Sequence, residues 1–365
     1  MSKFVSAVFR IGAIGVFAFP MLSGQNIIQR SVKIPVDFRP GLSLDRWDNG
    51  YWIQYERAEN PGDHPAIWMY DRDGKLVIRQ TEIWFPGAYN VKLRSAAAVG
   101  DGSLIASVED WKSAAEVSTV LVRIKPPGRI SGVFPTSRFT ADSIVVRNRS
   151  EIWAFGADPV RGDAPSNPDT LERFSLDGKL LSKGLPAANF FSDADRSSGL
   201  PSKVQSNDYR PETWVTYHGR AVVLDSGIGF FSPMAGCWLD LGPDGSFRSR
   251  LSLASPFNTG SPSRPNSTSW FTPPAYYARS IVAAAGAVFG ELYYSPTHPG
   301  GPAPPYGLFR LDRVAGRWVP LAGSPPEGYG GLFGADGADL ILRSGCCTYA
   351  WINPSSLFGP APAAP

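Results

Sequence analysis

The chain has 365 residues, with 35 Lys and Arg against 32 Asp and Glu, and a formal net charge of +3. Glycine (38) and proline (34) together make up about a fifth of it; aromatic residues are 12% and charged residues 18%. Long Ala/Glu/Lys/Leu-rich stretches are missing, which excludes a coiled coil. The aromatic content excludes an intrinsically disordered chain, and the even charge gives no surface for nucleic acid. What remains is a turn-rich, aromatic-rich β protein.

The first 24 residues stand apart. Lys3 and Arg10 precede an uncharged run from Ile11 to Leu22. Twelve residues span only ~18 Å as a helix, short of the ~30 Å hydrocarbon core. That length suits the apolar region of a secretory signal, with the small residues Ser23 and Gly24 marking a cleavage point. The small-residue pattern is imperfect, because Met21 and Leu22 stand where small residues are preferred. Residues 1–24 are therefore expected to export the protein to the periplasm or beyond. An uncleaved segment here would be the sole membrane attachment.

From residue 30 onward one grammar repeats. A short apolar strand, a Gly turn, a second strand, a variable loop, a third strand, another Gly turn and a fourth strand follow each other. The clearest copy runs from Ser95 to Phe134, with a loop expected over Glu109 to Ser118. The turn before the fourth strand recurs at Asp71–Gly74, Lys125–Gly128, Ser175–Gly178, Gly242–Gly245 and Arg313–Gly316. Asp-Gly and Pro-Gly suit tight hairpins, because Gly tolerates the positive φ they require. The strand before each turn is apolar, as in Ile67–Tyr70 and Trp238–Leu241. The strand after it alternates, as in Phe247–Leu251, which argues for half-buried strands. A sixth unit supplies three strands, around Leu332, Asp339–Arg343 and Thr348–Asn353, before a Pro/Ala tail at 355–365. Val32–Phe38 alternates like the missing fourth strand. Pairing of the two ends would close a ring and remove exposed sheet edges.

These turns and strands resemble the six-bladed β-propeller superfamily, in the loose sense that includes NHL-repeat, TolB-like and gluconolactonase-like proteins. The resemblance covers residues 30–354. It implies an all-β fold, a six-bladed β-propeller of four-stranded antiparallel blades closed by an N-terminal strand that completes the last blade. A Trp-Asp dipeptide per blade and a Gly-Gly pair per blade are both missing, which disfavours WD and kelch repeats. A pair of β-sandwiches is the competing fold.

Chemical motifs are sparse. No phosphate-binding loop, dinucleotide fingerprint, Gly-x-Ser-x-Gly elbow or His-Glu-x-x-His helix occurs. Asp71-x-Asp73-Gly74 has Lys75 and Leu76 where a calcium loop needs a ligand and a glycine, so it reads as a turn. Cys237, Cys346 and Cys347 include no Cys-x-x-Cys pair; the adjacent two read either as small strand residues or as a vicinal disulfide. His64 and His298 fall in loops between second and third strands. His218 falls in a first hairpin on the opposite face, so the three do not converge on a metal. No cofactor is expected.

Long loops emerge on the face where ligands approach a propeller channel, and function concentrates in such loops. Trp84, Phe85, Trp111, Phe190, Phe191, Phe230, Phe231, Trp270 and Tyr306 fall there. They either line a ligand surface or pack the loops onto the blades. Arginines recur at or before the innermost strands, at Arg94, Arg138, Arg210 and Arg279. They could form a cationic ring for carboxylate or phosphate, with Asp142 and Glu212 neutralising two, or they make local salt bridges. Ligand contacts are thus expected from these four arginines with Trp111 and Trp270.

The sequence favours an exported, monomeric binding or scaffold propeller whose partner is a protein, peptide or glycan, and no nucleic acid. The resemblance also implies an alternative, a lactonase or hydrolase holding a divalent metal through Asp45, Asp142, Asp208 or Glu212. A purely structural propeller is the third reading.

Overall fold

The computed structural model describes residues 28–33, 43–56, 62, 64–113, 116–136, 139–157, 168–193, 215–257, 276–294, 306–322, 325–345 and 348–358. These residues form 24 strands in six four-stranded antiparallel sheets. The chain opens on β1 (Ile28–Lys33). Blade 1 is β2 (Ser43–Asp48), β3 (Tyr51–Glu56), β4 (Ala66–Tyr70) and β5 (Leu76–Glu82). Blade 2 is β6 (Asn90–Ala98), β7 (Leu104–Trp111), β8 (Val117–Lys125) and β9 (Arg129–Thr136). Blade 3 is β10 (Thr140–Arg147), β11 (Glu151–Ala157), β12 (Asp169–Ser175) and β13 (Leu180–Pro186). Blade 4 is β14 (Arg220–Leu224), β15 (Gly227–Ser232), β16 (Cys237–Leu241) and β17 (Phe247–Ser252). Blade 5 is β18 (Tyr276–Ala284), β19 (Ala287–Tyr294), β20 (Tyr306–Asp312) and β21 (Arg317–Pro320). Blade 6 is β22 (Tyr329–Asp336), β23 (Asp339–Ser344) and β24 (Thr348–Ile352), completed on the outside by β1.

The ring therefore closes as the repeat implies, but with a different segment. Val32 pairs with Tyr349 and Ile28 with Ile352, so the closing strand begins four residues earlier than the expected Val32–Phe38. Half-buried Ile28, Arg30 and Val32 alternate with exposed neighbours, and this period places their side chains on blade 6. Residues 34–38 lie outside the described residues, as does the expected signal at 1–24. At the other end the packed chain runs past 354. Ser355–Phe358 form one helical turn whose Leu357 and Phe358 are buried against the last blade.

All five glycines that count the repeat, Gly74, Gly128, Gly178, Gly245 and Gly316, have positive φ. At Gly178 a side chain would also strike the ring of Phe134. Half of the expected loop Glu109–Ser118 is strand, because β7 runs to Trp111 and pairs with Val117.

Six apolar clusters, one at each blade interface, hold the ring among the described residues. The closing interface packs Trp47 and Trp52 of blade 1 against Phe333, Tyr349 and Trp351 of blade 6. Trp52 is 1% exposed, with ring centroids 4.2 Å from Tyr349 and 4.6 Å from Trp47. Gly334 lies so close to Trp47 that a Cβ would sit 2.5 Å from the Trp47 Cβ. Phe190, Phe191, Phe230 and Phe231 belong to these interfaces too, each under 5% exposed. They are core residues, so of the two readings these four take the packing one. No helix among the described residues is long and apolar enough to cross a membrane.

Candidate functional site

The innermost strands β2, β6, β10, β14, β18 and β22 surround a central channel with a cavity of about 610 Å³. An innermost strand has a free edge, and its N–H groups need acceptors. The next blade's N–H groups find them in side chains. Ser95 Oγ accepts from Ile144 N–H (3.2 Å), Ser143 Oγ from Ala221 N–H (3.1 Å) and Glu291 Oε2 from Leu332 N–H (3.0 Å). Near the opposite end of the channel Asp48 Oδ2 accepts from Ala98 N–H (2.8 Å).

Three innermost strands carry a β-bulge at one equivalent place. The register shifts between Leu93 and Ser95, between Ala141 and Ser143, and between Ala278 and Ser280. The extra residues are Arg94, Asp142 and Arg279, and all three line the channel. A bulge inserts a residue outside the two-residue alternation and so re-aims a side chain that a regular strand would turn into a blade interface. In blade 6 the shift falls between Tyr329 and Gly331. Gly330 and Gly331 bring no side chain there, and Arg343 lines the channel from β23 behind them.

Seven arginines and four carboxylates line the cavity among the described residues, with no lysine. Two of the four expected arginines, Arg94 and Arg279, are in place. Arg138 and Arg210 lie outside the described residues, as do Trp270, His298, Asp208, Glu212, Cys346 and Cys347. Arg46, Arg220 and Arg343 join the ring, and they were missed because a lone arginine in a short strand has no sequence context that points it inward. Trp111 sits at the end of β7, its Nε1 donating to Glu109 Oε2 (3.1 Å) and its ring under Lys92 (5.0 Å).

Arginines outnumber carboxylates in the channel lining, and several of them are paired. Arg94 donates to the buried Glu109 carboxylate at 2.7 Å. Burial alone would lower the Arg94 pKa, but the Glu109 pair outweighs it and holds the guanidinium above its usual value. Arg94 Nε is buried without an acceptor. Burial pushes Asp142 up from 3.8 to about 6, against the opposing pull of Arg94 and of Thr216 Oγ1, which donates to Asp142 Oδ2 at 3.2 Å. Arg279 lies 3.7 Å from Glu291. Arg220 donates to the backbone oxygens of Gly219 (3.0 Å) and Arg279 (3.4 Å), tying blade 4 to blade 5. At the opposite end burial raises Asp48, although Arg46 opposes it from 3.5 Å. Arg72 of blade 1 pairs with Asp336 of blade 6 there.

Aromatic residues rim the end where β14 and β18 begin. The Tyr217 and His218 rings are 4.1 Å apart, His218 meets Tyr277 edge-on at 5.0 Å, and Tyr277 stacks on Tyr293 at 5.6 Å. His218 precedes β14, so it stands on this rim and not in the first hairpin where the sequence reading put it. His64 is remote, in blade 1, stacked on Trp84 at 4.1 Å and paired with Glu82 at 3.3 Å. Asp45 lies in β2 opposite Gln54. No group of three His, Cys, Asp or Glu among the described residues is arranged to hold a metal.

No family model and no curated protein matches the chain. Solved structures similar to it include an unknown-function protein from Dyadobacter fermentans, at 10% identity and TM-score 0.49, covering 89% of this chain and 98% of that one. A member of the DUF4221 family from Bacteroides vulgatus matches at 10% identity and TM-score 0.46, covering 90% and 97%. The β-propeller domain of the Trilobed protease from Pyrococcus furiosus matches at 9% identity and TM-score 0.39, covering 86% and 82%. At such identities the likeness concerns the fold alone, and strand order and register establish that independently. In fold the chain is a six-bladed β-propeller, and no specific family is indicated.

Proposed function

We propose that the protein is an exported binding propeller that takes an anionic ligand, free or carried on a peptide or glycan, at the mouth of its channel. The bulges carry this reading: three blades spend a register shift on Arg94, Asp142 and Arg279, and Arg220 and Arg343 extend the ring. Guanidinium forks match carboxylate and phosphate geometry, and they act most strongly where water is partly excluded. Arg94 and Arg279 are held by Glu109 and Glu291, so their positions are preset before a ligand arrives. Export rests on the N-terminal apolar run, and sequencing the mature N-terminus of the protein recovered outside the cytoplasm tests it.

The binding test is calorimetric titration with citrate and inorganic phosphate. Replacing Arg279 by alanine should weaken binding of whichever anion binds by tenfold or more, a loss of ~1.4 kcal/mol. Unchanged affinity in Arg279→Ala and Arg220→Ala would remove the proposal.

A further inference from the structure

We infer that the anion is carried by an acidic saccharide, a pyranose bearing a carboxylate, with its charge toward the channel arginines and one ring face against the aromatic rim. This rests on the reading of the mouth as an anion site, and two further observations carry it.

The first is the rim itself. Tyr217, Tyr277 and Tyr293 are half-buried and His218 is exposed, in one continuous run of ring contacts between 4.1 and 5.6 Å. The run sits beside the arginines: Tyr217 is close enough to Arg94 to act on its titration, and His218 and Gly219 lead directly into Arg220. Flat, partly apolar faces with hydroxyl ends suit the C–H face of a sugar ring and its hydroxyl edge. A bare inorganic anion would make no use of them.

The second is the carboxylates. Asp142 and Glu291 line the same cavity as the arginines. An ionised carboxylate only accepts hydrogen bonds. It repels a ligand that brings only negative charge and attracts one that also brings O–H donors. Ser95 and Ser143 already use their Oγ acceptors on backbone N–H groups, and Glu291 accepts from Leu332 N–H and pairs with Arg279; Asp142, which takes one bond from Thr216 Oγ1, is the acceptor that faces the cavity beside them. An aromatic acid satisfies the rim and the arginines but offers Asp142 no donor. A neutral sugar satisfies the rim and Asp142 but brings no charge to a lining in which arginines outnumber carboxylates seven to four. A ligand with a ring face, hydroxyls and a carboxylate serves all three at once, and specificity of this kind comes from contacts that the wrong ligand cannot make.

Calorimetry on the purified full chain, with uronate mono- and disaccharides, their neutral counterparts, benzoate and inorganic phosphate, tests this. The expected result is that at least one uronate binds tenfold or more tighter than each of the other three classes. Tyr277→Ala should weaken that uronate fivefold or more while phosphate affinity stays within twofold, and Tyr277→Phe should bind within twofold of wild type. Should Tyr277→Ala fail to fold, His218→Ala at the exposed end of the rim serves the same comparison. Phosphate or benzoate binding as tightly as every uronate, or a uronate indifferent to both rim variants, would overturn the saccharide and leave the anion site standing. No binding by any probe, with the arginine variants equally silent, would overturn both.

Discussion

Replacing Asp142 by asparagine should stabilise the protein at neutral pH, and by progressively less as the pH falls toward 3.8. Asp142 lies on a bulge facing the channel, and burial raises its pKa from 3.8 to about 6. In the unfolded chain the carboxyl titrates near its ordinary value. Above pH 6 folding must place a charge in a poorly solvated site; as pH falls below 3.8 both states come to hold the proton and that cost disappears. The stability this group contributes is therefore fully present below its unfolded value and lost as pH rises through its folded one. The shift corresponds to ~3 kcal/mol at ~1.4 kcal/mol per pH unit. Water in the channel screens part of it, so a gap of ~1–2 kcal/mol is expected. Asparagine keeps an acceptor for Thr216 Oγ1 and never ionises. Urea unfolding of wild type and Asp142→Asn, paired at pH 4.5 and pH 8, measures the gap directly. The variant should be the more stable at pH 8, and at pH 4.5, which still lies above the unfolded value of 3.8, the gap should shrink to about a third of its size at pH 8. A variant less stable at pH 8, or a gap that does not change with pH, would refute the burial argument.

The closing interface offers a second prediction. Trp52→Ala removes a ring 1% exposed and packed on four aromatic neighbours, at a cost of ~3–5 kcal/mol. Trp52→Phe should cost less than ~1.5 kcal/mol, because it also deletes Nε1, a buried donor without an acceptor; thermal melts of the pair check both. A third concerns the stitching of the blades. Ser143→Ala strands the Ala221 N–H and should cost ~1–3 kcal/mol, with faster hydrogen exchange at Ala221 than in wild type.

Much of this was readable along the chain, and the reasons are local. Gly74, Gly178 and Gly245 mark hairpins because only their φ permits the turn, and that requirement is written in one or two residues. The aromatic strands such as Trp238–Leu241 declare their burial by composition and period. Ring closure also followed, since three strands at one end and one spare strand at the other have a single economical solution. Its register did not. Val32–Phe38 alternates as well as Ile28–Lys33, and only the pairing of Ile28 with Ile352 and Arg30 with Trp351 carries the strand back to Ile28.

The site was legible in part. Arg94 and Arg279 could be picked out because they fall in the innermost strand of a repeating unit. Their inward aim depends on a bulge, and a bulge is decided by how a strand pairs with its neighbour, which no single strand records. Phe190 and Phe230 looked like loop aromatics and are core, because burial depends on which blade lies against them.

The sequence by itself determined the six-bladed ring, the antiparallel order within each blade and the turn at each hairpin, since these follow from period, apolar content and φ, properties of neighbouring residues. Only the tertiary structure decided that Arg46, Arg220 and Arg343 share one cavity with Asp142 and Glu291, and that a run of aromatic rings stands next to Arg220. Those residues come from different blades, and what sets their charges, partners and exposure is the closing of the ring around them.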